Sequence, residues 1–468
     1  MSALAAAAPL AAVIAALLFG RSSRTAAIAG IVVLVPLLIF VFPTPLAAVA
    51  KAGVEWGPVV LEVVLVVGGG ILFAEAGRYT GNQHEITSWV TRSLGTGIVP
   101  VLAIVHGFTP LTESLTGYGI GAALAVPLLL GLGLSGKKAA IIGLLGLCAV
   151  PWGSMGPGTL IASHLTGVDF DALGVTTAVF NVVVFVAVGV TAALLISAPG
   201  ARLASVLAAL GSGLLLSATV FGANALIGTA PAGAIGGLVT LALHIALRAA
   251  RGNTIRVTRD VARAFIPYAI VLCGILAVTV VFALLPGDAT ILKAVLTSPA
   301  FWLFAATGVL LASRRGFFRE ALAAGTGTWL RVAPATVLFI VLGALMGVSG
   351  MSEELAGQLA RLGSSYLFLL PLFAALIGFI TGSNSGANAL AAGAQADVAV
   401  ALGVDVPLAI GAHNAAGAAA MMTSPARVEL ATSLARVPGE HGAVQRVLLL
   451  QLGVIALAMG GLSFALLS

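Results

Sequence analysis

Long apolar runs recur along this chain, and each is close to the length of a membrane-spanning helix. A helix needs about 20 consecutive apolar residues to cross the hydrocarbon core of a bilayer. Hydrophobic residues make up 60% of the 468 residues and charged residues only 8%, whereas soluble domains carry about 25% charged residues. The chain is therefore predicted to be an all-α polytopic membrane protein.

Breaks between the apolar runs locate the predicted helices. We predict about twelve transmembrane helices and two further apolar segments that return to the side from which they enter. No basic segment precedes the first run, so it is interpreted as the first span and not as a cleaved signal peptide. The predicted spans cover residues 3–19, 26–50, 56–77, 138–165, 172–196, 203–222, 231–250, 264–285, 299–313, 328–350, 405–436 and 446–467.

Basic residues are distributed unevenly between the loops that join these spans. Loops rich in Lys and Arg stay in the cytoplasm, and the loops of one side carry only Lys51, Lys293 and Arg361. The chain is therefore predicted to be a multi-pass protein of the cytoplasmic (inner) membrane with both termini on the outer side. The same bias accounts for the net charge of +6, so no nucleic-acid partner is expected. The other side carries Arg21, Arg24, Arg78, Arg92, Lys137, Lys138, Arg202, Arg248, Arg251, Arg256, Arg259, Arg263, Arg314, Arg315, Arg319, Arg436 and Arg446.

Residues 97–134 and 366–403 fit this orientation only if each forms a re-entrant hairpin. Each has a polar, glycine-rich centre, TPLTESLTGYG in the first and TGSNSGAN in the second. A long span follows each hairpin and is interrupted near its middle, at 151–159 by Pro151 and Pro157 and at 415–426 by Pro425. Proline removes a helical hydrogen bond, so both spans should break there. A hairpin and a broken helix, repeated in opposite orientation, are typical of secondary transporters.

The two repeats divide the chain into predicted transport regions and scaffold. Non-helical backbone at membrane depth is tolerated only where it is buried in protein or lines a cavity. The hairpins and breaks are therefore expected at a substrate site. The predicted regions are N-terminal scaffold spans at 1–96, a transport region at 97–169, central scaffold spans at 170–325, a second transport region at 326–436 and a C-terminal span at 437–468.

Glu113, in the first hairpin, is the strongest candidate for chemistry. An ionised carboxylate is unfavourable at membrane depth and marks a functional site by default, so Glu113 is predicted to take up and release a proton. The alternative is that it pairs with Thr112, Ser114 or backbone amides for structure only. His106 and His413 can relay protons in the physiological range, although a histidine in a helix often only completes a local hydrogen bond.

The hairpin tips and helix breaks supply groups that can bind a small anion. Helix N-termini expose unpaired N–H groups and a partial positive charge, which together can hold a carboxylate. A tight turn alone would need fewer polar residues. Arg427 follows the second break and either pairs with an anionic substrate or pairs internally and reaches the cytoplasm. The predicted substrate-binding residues are Thr112, Ser114, Thr116, Gly117, Tyr118, Gly119, Ser154, Met155, Thr381, Ser383, Asn384, Ser385, Asn388, Asn414, Thr423, Ser424 and Arg427.

Other kinds of site are not indicated. The segment GYGIG at 117–121 lacks the strand and βαβ unit that a dinucleotide site requires, and no glycine loop is followed by a Walker lysine. No His/Cys set has the spacing of metal ligands, and Cys148 and Cys273 lie in separate apolar spans. The sequence therefore predicts no metal, no cofactor and no enzymatic activity.

Two regions of the sequence resemble the L-lactate permease family, which includes glycolate permeases. The first region contains TESLTGYGIG and PWGSMGPGTLIASHLTGVD, and the second contains FITGSNSGANALAAGAQADVAVALGV and MMTSPARVELATSL. The positions that match the family pattern are Glu113, Gly117, Gly119, Gly153, Met155, Gly156, Thr166, Gly167, Asp169, Thr381, Gly382, Ser383, Asn388, Ala389, Leu390, Gln395, Gly403, Ser424 and Pro425.

The resemblance implies proton-coupled uptake of a small 2-hydroxy monocarboxylate and a fold related to the ion-transporter superfamily. In such folds a hairpin-bearing domain can move as an elevator against a scaffold, and the proteins are often homodimers. The family commonly has a lysine where this sequence has Met421, and uncharged residues where it has Arg427 and Glu429. Either Arg427 replaces that lysine or the substrate differs from lactate.

Two other functions stay open at this point. Carbonyl, Ser and Asn oxygens at the tips also suit a sodium ion, so sodium-coupled transport of another small anion is the first alternative. A membrane receptor or assembly subunit that binds a ligand without transporting it is the second, although every loop is too short for a signalling domain. The expected partners are a small organic anion, a proton or sodium ion, and the lipid bilayer.

Overall fold

A computed structural model describes residues 2–252, 255–284 and 291–468 of the chain. These residues form a bundle of α-helices joined by short 3₁₀ and π segments, and no strand occurs among them. Within the same residues, nine helices are long and apolar enough to cross a membrane, or up to eleven spans if each of two bent helix pairs is one span. The predicted all-α polytopic fold is confirmed.

The N-terminal region departs from the predicted spans where two prolines interrupt it. The helix expected over 26–50 ends at Phe40, and the next helix begins at Leu46. Pro43 and Pro45 lie between them, and proline disfavours helical backbone in the residue before it. The helix after that one, over Asn82–Leu94, is amphipathic and was not predicted. The helices of this region are α1 (Ser2–Leu18), α2 (Ser23–Phe40), α3 (Leu46–Tyr79) and α4 (Asn82–Leu94).

The first hairpin is a pair of helical arms that meet at a three-residue tip. The entering arm comprises α5 (Ile98–Ala103), a π turn (Ile104–Phe108) and α6 (Thr109–Thr116), and the returning arm is α7 (Ile120–Gly131). Helices α6 and α7 pack against each other. At the tip, Gly117, Tyr118 and Gly119 have φ angles of 70°, 57° and 79°. Left-handed backbone is rare for an aromatic residue, so the tip holds Tyr118 in a strained conformation.

The first broken helix follows directly. It consists of α8 (Gly136–Leu145), a 3₁₀ segment (Leu147–Met155) and α9 (Pro157–Thr166), and the chain bends by 51° between the first two. Ser154, Met155 and Gly156 have φ angles of 50°, 64° and 81°. The absent side chain of Gly117 leaves room for Ser154, so the strained tip and the strained break lie against each other.

The central region consists of longer, mostly unbroken helices. Its members are α10 (Phe170–Ile196), α11 (Arg202–Leu226), α12 (Thr229–Ala250), α13 (Arg259–Leu284), α14 (Ile291–Thr297), α15 (Pro299–Ser313), α16 (Phe318–Val348) and α17 (Met351–Ala360). Helices α14 and α15 meet at 63°, and the prediction included only the second of them. The predicted span 264–285 ends at a residue outside the described part of the chain.

The second repeat has the same order of elements. Its hairpin comprises α18 (Ser365–Thr381) and α19 (Asn384–Leu402), and its broken helix comprises α20 (Val406–Ala420), a 3₁₀ turn (Met421–Thr423) and α21 (Pro425–Leu434), with α22 (His441–Leu467) after it. Gly382, with φ 59°, ends α18. The hydroxyl of Ser383 accepts a hydrogen bond of 3.1 Å from the Gly386 amide and so caps α19.

The two repeats interlock. Helix α19 of the second hairpin packs against α9 of the first broken helix, and α21 packs against α7 and α8 of the first repeat. Each tip therefore lies beside the broken helix of the other repeat. Helices α3 and α16 pack together, and both also contact α9. The hairpins and breaks are thus gathered at one place in the bundle, with α16 along one side.

Candidate functional site

A cavity of about 550 Å³ lies where both hairpin tips and both helix breaks meet. Small-molecule sites in proteins have volumes of this order. Helices α2 and α16 complete its wall. The predicted site residues that line it are Glu113, Gly117, Tyr118, Ser154, Thr381, Ser383, Asn384, Ser385 and Arg427.

The other predicted binding residues lie behind this wall. Several of their hydroxyls donate to carbonyls three or four residues earlier in the chain: Thr112 to Phe108 at 2.8 Å, Thr116 to Thr112 at 2.6 Å and Thr423 to Ala420 at 2.7 Å. Such bonds satisfy a buried hydroxyl without a ligand. The predicted residues outside the lining are Thr112, Ser114, Thr116, Gly119, Met155, Asn388, Asn414, Thr423 and Ser424.

Glu113 is buried, and its carboxylate closes the first tip. One carboxylate oxygen accepts a hydrogen bond of 2.9 Å from the Gly119 amide, and the other accepts one of 3.0 Å from the Gly121 amide. These amides lie at the N-terminus of α7, where unpaired N–H groups favour a negative charge. Glu113 therefore pairs with backbone amides, as the structural alternative expected, and also lines the cavity.

Arg427 extends from α21 of the second repeat to the tip of the first. Its guanidinium packs against Gly119, where the Cβ of any other residue would overlap it. Glu113 and Arg427 attract each other electrostatically. Within the described part of the chain, however, Arg427 forms no salt bridge and its guanidinium has no hydrogen-bond acceptor. A guanidinium with free donors on a cavity wall matches the geometry of a carboxylate.

The second tip is held by one buried amide, that of Asn414 in α20. Its oxygen accepts hydrogen bonds from the side-chain amides of Asn384 at 3.1 Å and Asn388 at 2.9 Å. Its nitrogen donates to the hydroxyls of Thr159 at 2.9 Å and Thr177 at 3.1 Å. The protein thus uses all the hydrogen-bonding positions of Asn414, so this residue positions the tip and does not reach the cavity.

The two predicted proton-relay histidines do not line the cavity. His106 is buried, with one ring nitrogen 2.8 Å from the Ser212 hydroxyl and the other 2.9 Å from the Phe185 carbonyl. His413 is fully buried in α20, next to Asn414. Both residues therefore lie in the packed interior around the site.

Among the cavity-lining side chains that the sequence did not single out as binding residues, two arginines and a methionine bear on ligand binding. Arg24 at the start of α2 and Arg331 on α16 both line the cavity, and both are exposed. A charge inside the apolar run 328–350 was the available signal for Arg331. Met421 lines the cavity as well, and its sulfur accepts a hydrogen bond of 3.1 Å from the backbone N–H of Asn384.

The charges on the cavity wall favour an anion. Arg24, Arg331 and Arg427 contribute three guanidinium groups. Among the described residues that line the cavity, Glu113 supplies the only carboxylate. Walls of one sign concentrate ions of the opposite sign. Serine, threonine and asparagine groups of the second tip face the same space, so the site combines a cationic side with a neutral, hydrogen-bonding side.

Comparison with known proteins gives one family. The sequence profile of the family described as L-lactate permease matches residues 2–313 and 285–467. L-lactate permease of Salmonella typhi is 36% identical over 93 residues, 20% of this chain and 17% of that protein. The L-lactate permeases of Bacillus subtilis (strain 168) and Escherichia coli (strain K12) are each 34% identical over 93 residues, 20% of this chain and 16% and 17% of theirs. The aligned stretch thus spans about a sixth of the length of these curated relatives.

Proposed function

The chain belongs to the L-lactate permease family, and on that premise we propose that it is a secondary transporter. Its substrate in this proposal is a small 2-hydroxy monocarboxylate such as lactate or glycolate, which it moves together with protons across the cytoplasmic membrane. The relatives are named for lactate, and the site described above suits that class of anion.

The free guanidinium of Arg427 is the observation that carries this proposal. It lines the cavity with no salt-bridge partner among the described residues, and arginine binds carboxylates through two parallel hydrogen bonds. In the proposal the substrate carboxylate binds Arg427, which replaces the lysine that the family commonly has at position 421. Met421 lines the same cavity, so a cation from either position would reach the same ligand.

In this proposal the second tip binds the part of the substrate that Arg427 does not contact. Ser383, Asn384 and Ser385 line the cavity at the N-terminus of α19, where backbone N–H groups lack helical partners. We assign the 2-hydroxyl group of the substrate to this tip.

Glu113 is the proposed proton carrier. It borders the same cavity, is buried, and lies close enough to Arg427 for the two charges to interact. A carboxylate in this place can neutralise the guanidinium when no substrate is bound. Proton uptake by Glu113 would compensate for the charge of an arriving anion.

The proposed movement separates the two transport regions from the scaffold. Residues 97–169 and 326–436 supply both tips and both breaks, but most of α16 falls in the second of these ranges and forms a wall of the cavity. We therefore propose that α16 belongs with α2 and α3 in the scaffold and that the hairpins and broken helices move against it. Both termini lie on the outer, non-cytoplasmic side of the membrane in this proposal, as the loop charges predict.

The proposal is tested by uptake into proteoliposomes that contain the purified full-length protein. Radiolabelled L-lactate, glycolate, succinate and uncharged glycerol are offered under an inward proton gradient, with sodium or with choline as the only other cation. We expect lactate and glycolate to accumulate, succinate and glycerol not to, and choline to replace sodium without loss.

Each alternative predicts a different result in the same experiment. Accumulation that requires sodium at constant pH would favour sodium coupling. Binding of L-lactate without uptake under any gradient would favour a receptor or an assembly subunit and would contradict transport.

A further inference from the structure

The turn between α1 and α2 reaches the cavity from the scaffold. Arg24 at the start of α2 and Thr336 near the middle of α16 both line the cavity. Farther along the same two helices, the absent side chain of Gly30 leaves room for Leu342. Helix α2 therefore runs beside the second half of α16, and Arg24 lies at the level of its middle. A cation so far along a membrane-spanning helix marks a functional site by default.

Arg331 adds a second cation to the same side of the cavity. Its guanidinium donates a hydrogen bond of 2.8 Å to the hydroxyl of Thr328, on its own helix. Arg24 and Arg331 are both exposed, and neither forms a salt bridge within the described part of the chain. Arginine keeps its charge at any physiological pH, so the scaffold presents two guanidinium groups that no described carboxylate pairs with.

The third guanidinium of the lining, that of Arg427, belongs to α21 and so to the part that moves in the proposed function. Cations therefore lie on both the fixed and the moving parts of the cavity wall. With Glu113 ionised, three guanidinium groups and one carboxylate leave two positive charges on the described lining. A monocarboxylate neutralises one of them, whereas a dicarboxylic acid that is ionised at both ends near neutral pH neutralises both.

The size of the cavity also exceeds the needs of a three-carbon acid. Its volume of about 550 Å³ lies in the range of sites that hold drug-sized ligands. A monocarboxylate on Arg427 would leave part of this space, and the two scaffold arginines, without a ligand.

We propose that a small aliphatic dicarboxylate binds across the cavity, with one carboxylate on Arg427 and the other on Arg24 and Arg331, and blocks transport. The inference rests on the proposed function, in which Arg427 moves against the scaffold as the substrate crosses. A ligand held by both parts stabilises the conformation in which they lie close together, and so opposes that movement. A monocarboxylate bound to Arg427 alone moves with the hairpins and broken helices.

Binding is measured by isothermal titration calorimetry on the purified full-length protein in detergent. Malonate, succinate and glutarate differ by one methylene group each. Each is compared with its monoamide, which keeps the length of the molecule and loses one charge. We expect at least one of the three dicarboxylates to bind about tenfold more tightly than its monoamide, or better.

Transport is measured in proteoliposomes with the dicarboxylate that binds most tightly present on both sides of the membrane. At a concentration that saturates the protein with the dicarboxylate and not with its monoamide, we expect the dicarboxylate to slow the uptake of radiolabelled L-lactate severalfold. The monoamide should have little effect. The same dicarboxylate, radiolabelled and offered alone under the proton gradient, should not accumulate.

Two double variants identify the scaffold arginines. Arg24→Gln with Arg331→Gln removes both charges, so the variant should lose the preference for the dicarboxylate over its monoamide. Arg21→Gln with Arg319→Gln is the matched control, because these exposed arginines lie on the same turn and the same helix but outside the cavity lining. The control should keep the preference. Gel filtration shows whether each variant is folded.

The outcomes separate this inference from the proposed function. Equal affinities of every dicarboxylate and its monoamide for the wild type would overturn the inference and leave lactate transport intact. Accumulation of the dicarboxylate would overturn the block, and a preference that persists in the folded Arg24→Gln, Arg331→Gln protein would overturn the assignment to these residues. If that protein does not fold, Arg331→Gln alone must weaken the preference. No lactate uptake under any gradient would overturn the proposed function and the block with it, whereas the tighter binding of the dicarboxylate would stand.

Discussion

Single buried polar residues connect the hairpins to the rest of the bundle. Asn414 is fully buried and joins the second tip to α9 and α10 through four hydrogen bonds. An unsatisfied buried polar group costs about 1–3 kcal/mol, so removal of this amide leaves several groups without partners at once. The tip geometry therefore depends on a side chain that does not itself line the cavity.

We predict that Asn414→Ala lowers the free energy of unfolding by about 3 kcal/mol or more. Asn181→Ala is the matched control, because Asn181 is equally buried but its side chain makes one hydrogen bond, to the Cys148 carbonyl at 2.9 Å. The control should lose about 1 kcal/mol. Thermal unfolding in detergent compares the two variants, and equal shifts would show that the network adds no stability.

Sequence reasoning at this scale recognised the reactive groups but could not specify which atoms they contact. A charge inside an apolar segment identified Glu113, but its bonds to the Gly119 and Gly121 amides depend on the left-handed backbone of the tip, which no residue pattern specifies. Asn414 was recognised as a site residue from its place at the second break. Its role as a positioning residue follows only from the packing of three separate helices around it.

Glycines set how closely the helices of the scaffold approach. Gly68 on α3 faces the indole of Trp329 on α16, and a Cβ at position 68 would overlap the ring. The Trp329 indole N–H also donates to the Val64 carbonyl at 2.9 Å. Close contacts of this kind are typical of membrane helices, whose interfaces are rich in small residues. The α3–α16 pair is thereby fixed beside the cavity.

We predict opposite effects for two glycine substitutions on α3. Gly68→Ala should destabilise the protein by about 1–3 kcal/mol, since the Trp329 ring must shift to accommodate the methyl group. Gly53→Ala is the control, because no atom lies near a Cβ at that position, and alanine is the better helix former by up to about 1 kcal/mol. Thermal unfolding midpoints that fall for both variants, or for neither, would contradict this account of the packing.

Helices with strong local signals were predicted well, and short ones were not. Prolines and glycines located both breaks and both tips, because these residues directly limit the backbone. Helices α4, α14 and α17 were missed, since each lies outside the long apolar runs from which spans were assigned. Their boundaries depend on contacts with the rest of the bundle, and sequence periodicity over so few residues does not define them.

The molecule as a whole is organised by the interlocking of its two repeats. Because α21 packs on α7 and α8 while α19 packs on α9, the tips and breaks of both repeats border the same cavity. The order of hairpin and broken helix in the sequence predicted the repeats themselves. The contributions of Arg24 and Arg331 could not be predicted, since they depend on which face of the scaffold lies against the repeats.

The central claim is that the carboxylate binds in this cavity, and substrate protection of a cysteine at Ser385 tests it most directly. Ser385 is partly buried on the cavity wall. The exposed Cys273 is first replaced by serine, while Cys148 is buried. Ser433→Cys, on the exposed face of α21, serves as the control. A thiol-reactive maleimide is applied with and without L-lactate, and the rate of labelling is measured.

We predict that L-lactate slows the labelling of Ser385→Cys severalfold and leaves Ser433→Cys unchanged. The protection should disappear when Arg427→Gln is added, because the anion then loses its cationic partner. Labelling of Ser385→Cys at the same rate with and without L-lactate, in a protein that still takes up lactate, would contradict the account.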